Sequence, residues 1–363
     1  MRIALIATHH ADYAASLAAA LAEEHDVLLV LSRRNAGRQL SPESLAWLRQ
    51  RMDVRIVPHH LAPLQPVIAG ICAWHIARFR PDVVHVQEHP TRSMAQLAGL
   101  LKGRLPFITT VHDPLPHSGE DDRAARVFAR AYRRLRAASD RIIVHGALLA
   151  ADLAGTGVDP AKIAAIPHGV LHFGRHGTPV PPVAAKHNRL IFFGRMEAYK
   201  GLAELLDAND IWLRDGLPVE LLIAGAGPEM ARHAKRLGAR NVTAITRRLG
   251  QAELESLVAG SAAAVLPYRD ATQSGVIASA FGAGRPVIAT DVGSLKEAVQ
   301  DAGLIVPPMD VAALADAGRR LIETPGLLEQ LEEAVQRRCR EDLNWQNIAA
   351  RTAQLYREAG AAG

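Results

Sequence analysis

RLIFFGRMEAYKGL, residues 189–202, joins a buried strand to the start of a helix through a cationic loop. Leu190–Phe193 is a continuous apolar run, the pattern of a strand covered on both faces. It stops at Gly194, Arg195 and Lys200 stand five apart round the loop, and Lys200–Gly201 open a helix. Two cations beside free backbone N–H groups at a helix N-terminus suit a dianionic group such as a diphosphate. The plain alternative is a pair of surface cations near a strand end.

Upstream, HFGRHGTPVPPVAAKHN (His172–Asn188) carries three prolines and no periodicity, and reads as an interdomain linker. Before it, strands are expected at Arg2–Ala7, Val27–Leu31, Val54–Val57, Asp82–Val86, Phe107–Val111, Arg141–Val144 and Lys162–Ile166. After it they are expected at Leu190–Phe193, Glu220–Ala224, Val242–Ile245, Ala262–Leu266, Val287–Thr290 and Leu304–Val306. Between them lie helical patterns such as Tyr13–Glu23 and Ile68–Phe79. This alternation predicts α/β architecture with two Rossmann-like, doubly wound domains facing a cleft: residues 1–175 and 188–343. After the helical region Ala312–Cys339, Asn344–Glu358 forms an amphipathic helix with Trp345, Ile348, Ala349, Thr352 and Leu355 on one face. It caps the second domain or crosses back, with the tail 344–363, to the first.

The length of 363 residues fits two moderate domains, and 49% hydrophobic with 22% charged residues places the chain among globular proteins. No charged n-region followed by an apolar stretch opens it, and Val67–Phe79 is too short to span a bilayer and holds His75 and Arg78. Cys72 and Cys339 have no motif spacing, which fits buried packing residues in a cytoplasmic protein. A net charge of +5 favours anionic partners, whereas 4% aromatics without a nucleic-acid motif argues against nucleic acid.

A second signal is YRDATQSGVIASAFGAGRP, Tyr268–Pro286. A strand ends in a polar loop (Thr272, Gln273, Ser274, Gly275), and a small-residue helix follows. Gly275 admits close ligand approach and the helix dipole points at it, although a plain β-α turn capped by serine has the same sequence. Together with LLIAGAGPE, VGSLKE, NWQNIAARTAQLYRE and, in the first half, PDVVHVQ, TTVHDPLPHSGE, DRIIVHG and KIAAIPHG, these segments resemble group-one, family 4-like retaining glycosyltransferases of the GT-B fold. The resemblance covers nearly the whole chain in the family's order. It implies a nucleotide diphosphate sugar as donor, a UDP- or GDP-sugar, without a further cofactor, and a helix returning to the first domain. It implies that Arg195 and Lys200 bind the diphosphate, that Thr272, Gln273, Ser274, Gly275 and Val276 hold donor phosphate and sugar, that Glu297 lies beside the nucleotide, and that Thr246–Leu249 lie near the base.

Two departures stand out. Many relatives carry two glutamates eight residues apart in the donor loop; here Ala271 and Ser279 occupy those places, with Asp270 adjacent. The Gly-rich loop that often follows the first strand is replaced by Thr8-His9-His10-Ala11-Asp12. His9 and His10 are adjacent and lack a third ligand in sequence, so no metal is expected.

His112 follows the apolar strand Phe107–Val111, at the sheet end where open α/β sheets bind ligands. An imidazole there can hydrogen-bond a sugar or stabilise charge near the reacting carbon, with Asp113 orienting it. The resemblance also sets His112 facing the donor sugar. His145, His168, Glu88 and His89 stand at other strand ends and read as structural or acceptor-side residues. No carboxylate nucleophile is evident, so the retaining reaction expected of the family runs by front-face attack, with Arg195 and Lys200 holding the leaving phosphate.

RAARVFARAYRRLR (Arg123–Arg136) sets Arg126, Arg130, Arg133 and Arg134 opposite Val127, Phe128, Ala131 and Leu135. Such a helix packs inward or rests on an acidic membrane, which would suit a lipid-linked acceptor. The acceptor could also be a glycan or a small molecule. The competing readings are a sugar-nucleotide epimerase, a non-catalytic scaffold of the same fold, and, more remotely, a dehydrogenase, for which Gly225-Ala226-Gly227-Pro228 lacks the full glycine fingerprint.

Overall fold

The computed structural model describes residues 1–58, 65–89, 91–115, 120–176 and 185–361, with the backbone alone for 120–126. The chain divides into two compact units: Met1–Gly169, Gly174–Thr178 and Asp342–Gly363 form the first, Val170–Phe173 and Pro179–Glu341 the second.

In the first unit the strands are β1 (Arg2–Ala7), β2 (Asp26–Ser32), β3 (Asp53–Val57), β4 (Val83–Gln87), β5 (Phe107–Thr110), β6 (Arg141–Val144) and β7 (Ile163–Ala165). The intervening helices are α1 (Ala11–Leu21), α2 (Arg33–Gln39), α3 (Pro42–Arg49), α4 (Gln65–Phe79), α5 (Arg92–Leu101), α6 (Glu120–Ala138) and α7 (Ala147–Gly155). All seven strands are parallel in the order β3-β2-β1-β4-β5-β6-β7. Leu5 registers with Leu29 and His85, which brings the carboxyl ends of the central strands level. Strand side chains alternate between faces, so Ala4, Ile6, Val84 and Val86 line one face and pack with Ile68, Cys72 and Ile76 of α4 and Leu97 of α5.

The second unit repeats the plan with β8 (Lys186–Arg195), α8 (Leu202–Arg214), β9 (Glu220–Ala226), α9 (Pro228–Arg232), β10 (Val242–Ile245), α10 (Gln251–Ala259), β11 (Ser261–Leu266), α11 (Gly275–Gly282), β12 (Val287–Thr290), α12 (Leu295–Val299), β13 (Gly303–Val306), α13 (Val311–Glu323) and α14 (Leu327–Arg340). Its six parallel strands run β10-β9-β8-β11-β12-β13. The last helix, α15 (Trp345–Ala361), belongs to the first unit. Its face Trp345, Ile348, Ala349, Thr352 and Leu355 is buried, and Tyr356 reaches the sheet, its hydroxyl 2.7 Å from His85 Nδ1. Gly169 makes room for it: a Cβ there would lie 2.5 Å from the Trp345 ring.

Four details differ from the sequence reading. Lys186–Asn188 belong to β8 rather than to a linker, because β11 offers a partner and Lys186 registers with Ser261; residues 177–184 of that stretch lie outside the described residues. The region 312–339 is two helices, separated at Thr324-Pro325-Gly326, where Gly326 takes φ 78° and proline cannot continue the helix. Cys72 is buried in the core, but Cys339 is only half-buried. On α6, Ala131 and Leu135 face inward as expected, whereas Val127 is exposed and Arg136 is buried in a two-pronged pair with Glu88 (2.6 and 2.8 Å). No described helix is long and apolar enough to cross a membrane.

Candidate functional site

In the second unit, β8 and β11 are neighbours, but the chain leaves them in opposite directions, towards β9 and towards β12. The loops after their carboxyl ends therefore part and leave room between them. Arg195 ends β8, Lys200 lies on the first of these loops and Tyr268–Ser274 lie on the second. A backbone bond from Arg269 N to Tyr199 O (2.7 Å) ties the two together. Lys200 is 7% exposed; its Nζ donates to the Tyr268 hydroxyl at 3.0 Å and stands 4.8 Å from that ring's centroid. Among the described residues no carboxylate pairs with this ammonium. A buried cation supported by a phenol and an aromatic face is costly unless an anion arrives. Arg195 is exposed and donates to the Tyr199 hydroxyl at 3.3 Å.

Glycines shape the loop. A Cβ on Gly194 (φ 117°) would stand 3.2 Å from Lys200 Nζ, and one on Gly201 (φ 73°) would strike the Pro267 carbonyl. Gly225 and Gly227 pack against Gly194 and Met196, which explains LLIAGAGPE as a structural motif: it brings the ends of β8 and β9 together.

On the second loop, Thr272 is buried, and Gln273, Ser274, Gly275 and Val276 are half-buried. Ser274 caps α11 by accepting from Val276 N at 3.2 Å. Ser294 donates to the Thr272 carbonyl through both Oγ (2.6 Å) and N (3.0 Å). That clamp fixes the start of α12 against the loop, with Glu297 exposed in its first turn. Ala271 is buried, Ser279 half-buried and Asp270 exposed. Thr246–Arg248 are exposed after β10, and Arg247 pairs with Glu253 at 2.6 Å. The structure thus gathers Lys200, Thr272 to Val276 and the base of α12 round the end of β8 and β11. Tyr268 and Tyr199 complete the set; sequence reading gave them no role, since an aromatic residue after a strand carries no polar signature.

The first unit gathers histidines at the corresponding end of its sheet. His112, after β5, is 2% exposed; its Nε2 is 2.9 Å from Gln87 Oε1 and its Nδ1 is 3.1 Å from His145 Nε2. The His10 ring stacks on it with centroids 3.8 Å apart. His10 itself holds a left-handed backbone (φ 54°), a strained choice for a residue with a Cβ. His9 lies beside His89, centroids 4.3 Å apart. His145 Nδ1 meets the Ile166 carbonyl (3.2 Å) and His168 Nδ1 the Gly169 carbonyl (2.7 Å). Tyr13 stands edgewise or tilted against His112, His145 and His168, its centroid 4.9 to 5.2 Å from theirs. Burial, then the neighbouring imidazoles, holds His10 and His112 well below the ordinary histidine range; burial, then His168, does the same for His145. Burial brings His168 down to about 4, opposed by the Gly169 carbonyl and Asp12. His112, expected to face a sugar, is thus covered by His10. One ring nitrogen from each of His112, His145 and His168 lies within 4.8 Å of the others, a grouping absent from the sequence reading because its members stand on three separate strand ends.

The model of "Glycosyl transferases group 1" matches residues 187–324, and that of "Glycosyltransferase Family 4" matches residues 10–171. The chain is 30% identical to a glycogen synthase of Mycobacterium tuberculosis over 298 residues, covering 77% of this chain and 69% of that protein. It is 29% identical to a D-inositol 3-phosphate glycosyltransferase of Streptomyces bingchenggensis, covering 80% and 65% of the two chains. Among solved structures, a sucrose-phosphate synthase of Thermosynechococcus elongatus superposes with a TM-score of 0.72 at 20% identity, covering 100% of both chains. Anabaena HepE in complex with UDP-glucose superposes with a TM-score of 0.71 at 15% identity, covering 98% of this chain and 99% of that one.

Proposed function

The chain belongs to the group 1, family 4 glycosyltransferases, and we propose that it moves a sugar from a nucleoside diphosphate donor to an acceptor hydroxyl with retention at the anomeric carbon. The donor diphosphate sits between the loops that follow β8 and β11. The observation that carries this reading is the buried Lys200 ammonium, which has Tyr268 as its hydrogen-bond acceptor and no carboxylate among the described residues. Arg195 supplies a second cation from the exposed rim, and Thr272 to Val276 supply hydroxyl, amide and backbone donors at the start of α11.

As the glycosidic bond lengthens, negative charge grows on the leaving phosphate. Cations held in place beforehand stabilise that charge more than the ground state. The acceptor hydroxyl attacks from the face of the departing phosphate and passes its proton to a phosphate oxygen. This needs no protein carboxylate, in keeping with Ala271 and Ser279 in the donor loop. His112 acts as a positioning residue through His10, which covers it. A uridine diphosphate sugar is the first donor to test, because HepE, of the same fold, was captured with UDP-glucose.

The test is release of nucleoside diphosphate from UDP-, GDP-, ADP- and dTDP-sugars, with and without sugar, polyol and glycan acceptors, followed by the anomeric proton coupling of the product. Acceptor-dependent release with an unchanged anomer supports the proposal. An inverted product, turnover of donor to an epimer without acceptor, or a covalent glycosyl-enzyme contradicts it.

A further inference from the structure

The first unit's histidine cluster obeys a hydrogen-bond arithmetic that turns on which end of the Gln87 amide faces His112. A carbonyl can only accept. The bond to Ile166 O therefore puts the His145 proton on Nδ1, and the bond to Gly169 O puts the His168 proton on Nδ1. With its oxygen towards His112, the Gln87 amide puts the His112 proton on Nε2 and leaves its own buried NH2 without a hydrogen-bond partner among the described residues. The other nitrogen of each ring is then a bare lone pair. Two of these, His112 Nδ1 and His145 Nε2, face each other at 3.1 Å with no proton between them. Lone pairs at that distance repel unless something positive lies between or beside them.

We propose that His112 Nδ1, His145 Nε2 and His168 Nε2 bind one divalent transition-metal ion, with zinc as its simplest representative. Three observations converge on this. Zinc–nitrogen bonds of about 2.0–2.1 Å in a tetrahedron set two ligand nitrogens roughly 3.3 Å apart, close to the 3.1 Å of the facing pair. The third histidine's nitrogen lies within 4.8 Å of the others, so a movement of about 1.5 Å would complete the edge. Each imidazole is also held from behind by an oxygen, Gln87 Oε1, Ile166 O or Gly169 O, the outer arrangement that fixes the tautomer and aims the lone pair of metal-bound histidines. Three imidazoles suit zinc and its first-row neighbours better than magnesium or calcium, and they leave a fourth position for water or an incoming oxygen. The site lies at the carboxyl ends of β5, β6 and β7, and the half-buried His168 gives it a route to solvent. His10 stacks on the face of His112 and leaves its in-plane lone pair clear.

The experiment uses the untagged full chain, stripped with chelator and dialysed. Titration with Zn2+ is expected to fill one site per chain, and Co2+ in its place to give the strong visible absorption of a four-coordinate ion, bleached by Zn2+. His168→Ala removes the bands with the circular dichroism unchanged. Gln87→Leu, which touches no metal, weakens Zn2+ binding about 10- to 100-fold. Should a variant fail to fold, carbethoxylation of the wild type decides: Zn2+ shields His168 while the exposed His187 stays reactive. Absence of a stoichiometric site, weak six-coordinate Co2+ alone, or His168 equally reactive with and without Zn2+ overturns the proposal. The facing pair would then be an ordinary neutral relay in which the Gln87 amide presents its NH2 to His112.

Discussion

Two residues show how differently side chains announce themselves. Lys200 could be singled out from the sequence, as a cation at the opening of a helix after an apolar strand, and the structure buries it. Tyr268 could not be singled out, although it fixes the ammonium in place. Tyr268→Phe removes a hydrogen bond to a charged group, and such bonds are worth about 1.5–3 kcal/mol. Nucleoside diphosphate binding by this variant should weaken about tenfold or more in calorimetric titration; unchanged affinity would show that the phenol does not position Lys200. His85 is a second case. It stands inside β4 with its ring between the Tyr356 and Thr110 hydroxyls, both at 2.7 Å, and burial brings it down to about 3. The folded value lies below that of the unfolded chain, near 6.5, so the unfolded chain binds the extra proton first. The stability this neutral histidine contributes is present above about pH 6.5 and is lost progressively as the pH falls towards 3. By pH 4.5 the loss from this residue is about 3 kcal/mol. Urea unfolding of wild type and His85→Gln across this range should show the shallower decline in the variant; parallel declines would mean that His85 does not titrate in this way.

At the scale of elements, the thirteen strands among the described residues could be placed from their apolar runs, because strands covered on both faces leave continuous signals. Their ends were less legible. β8 extends back over Lys186–Asn188, three polar residues, where Lys186 pairs with Ser261 of β11 ahead of an irregularity in the register. The break between α13 and α14 was also missed, although Pro325-Gly326 marks it. The closing helix was readable from its apolar face and its return to the first unit from the family resemblance, but its individual partners were not: Gly169 and His85 lie far away in sequence. Tyr356→Phe leaves the buried His85 Nδ1 without its partner and should cost about 1–3 kcal/mol of stability. Gly169→Ala drives a methyl into Trp345 and should lower the melting temperature of the first unit as followed by tryptophan fluorescence. If neither variant changes stability, α15 does not contribute through these contacts.

At the scale of the molecule, the repeated β-α alternation made two doubly wound units readable, since each open parallel sheet needs helices on both faces. The residues proposed to hold the donor could be named from the sequence because they lie within two short segments. The histidine cluster could not be, because His10, His112, His145 and His168 follow four different strands and meet only once the sheet is ordered. The central claim is that the second unit holds a nucleoside diphosphate on Lys200. Its most direct test is thermal unfolding of wild type and Lys200→Met with UDP, GDP, ADP and dTDP. A ligand at about a hundred times its dissociation constant adds about 2.7 kcal/mol of stability. We predict that one of these nucleotides raises the melting temperature of the wild type and leaves that of the folded Lys200→Met variant unchanged. Equal stabilisation of both proteins, or none of the wild type by any of the four, would contradict the claim.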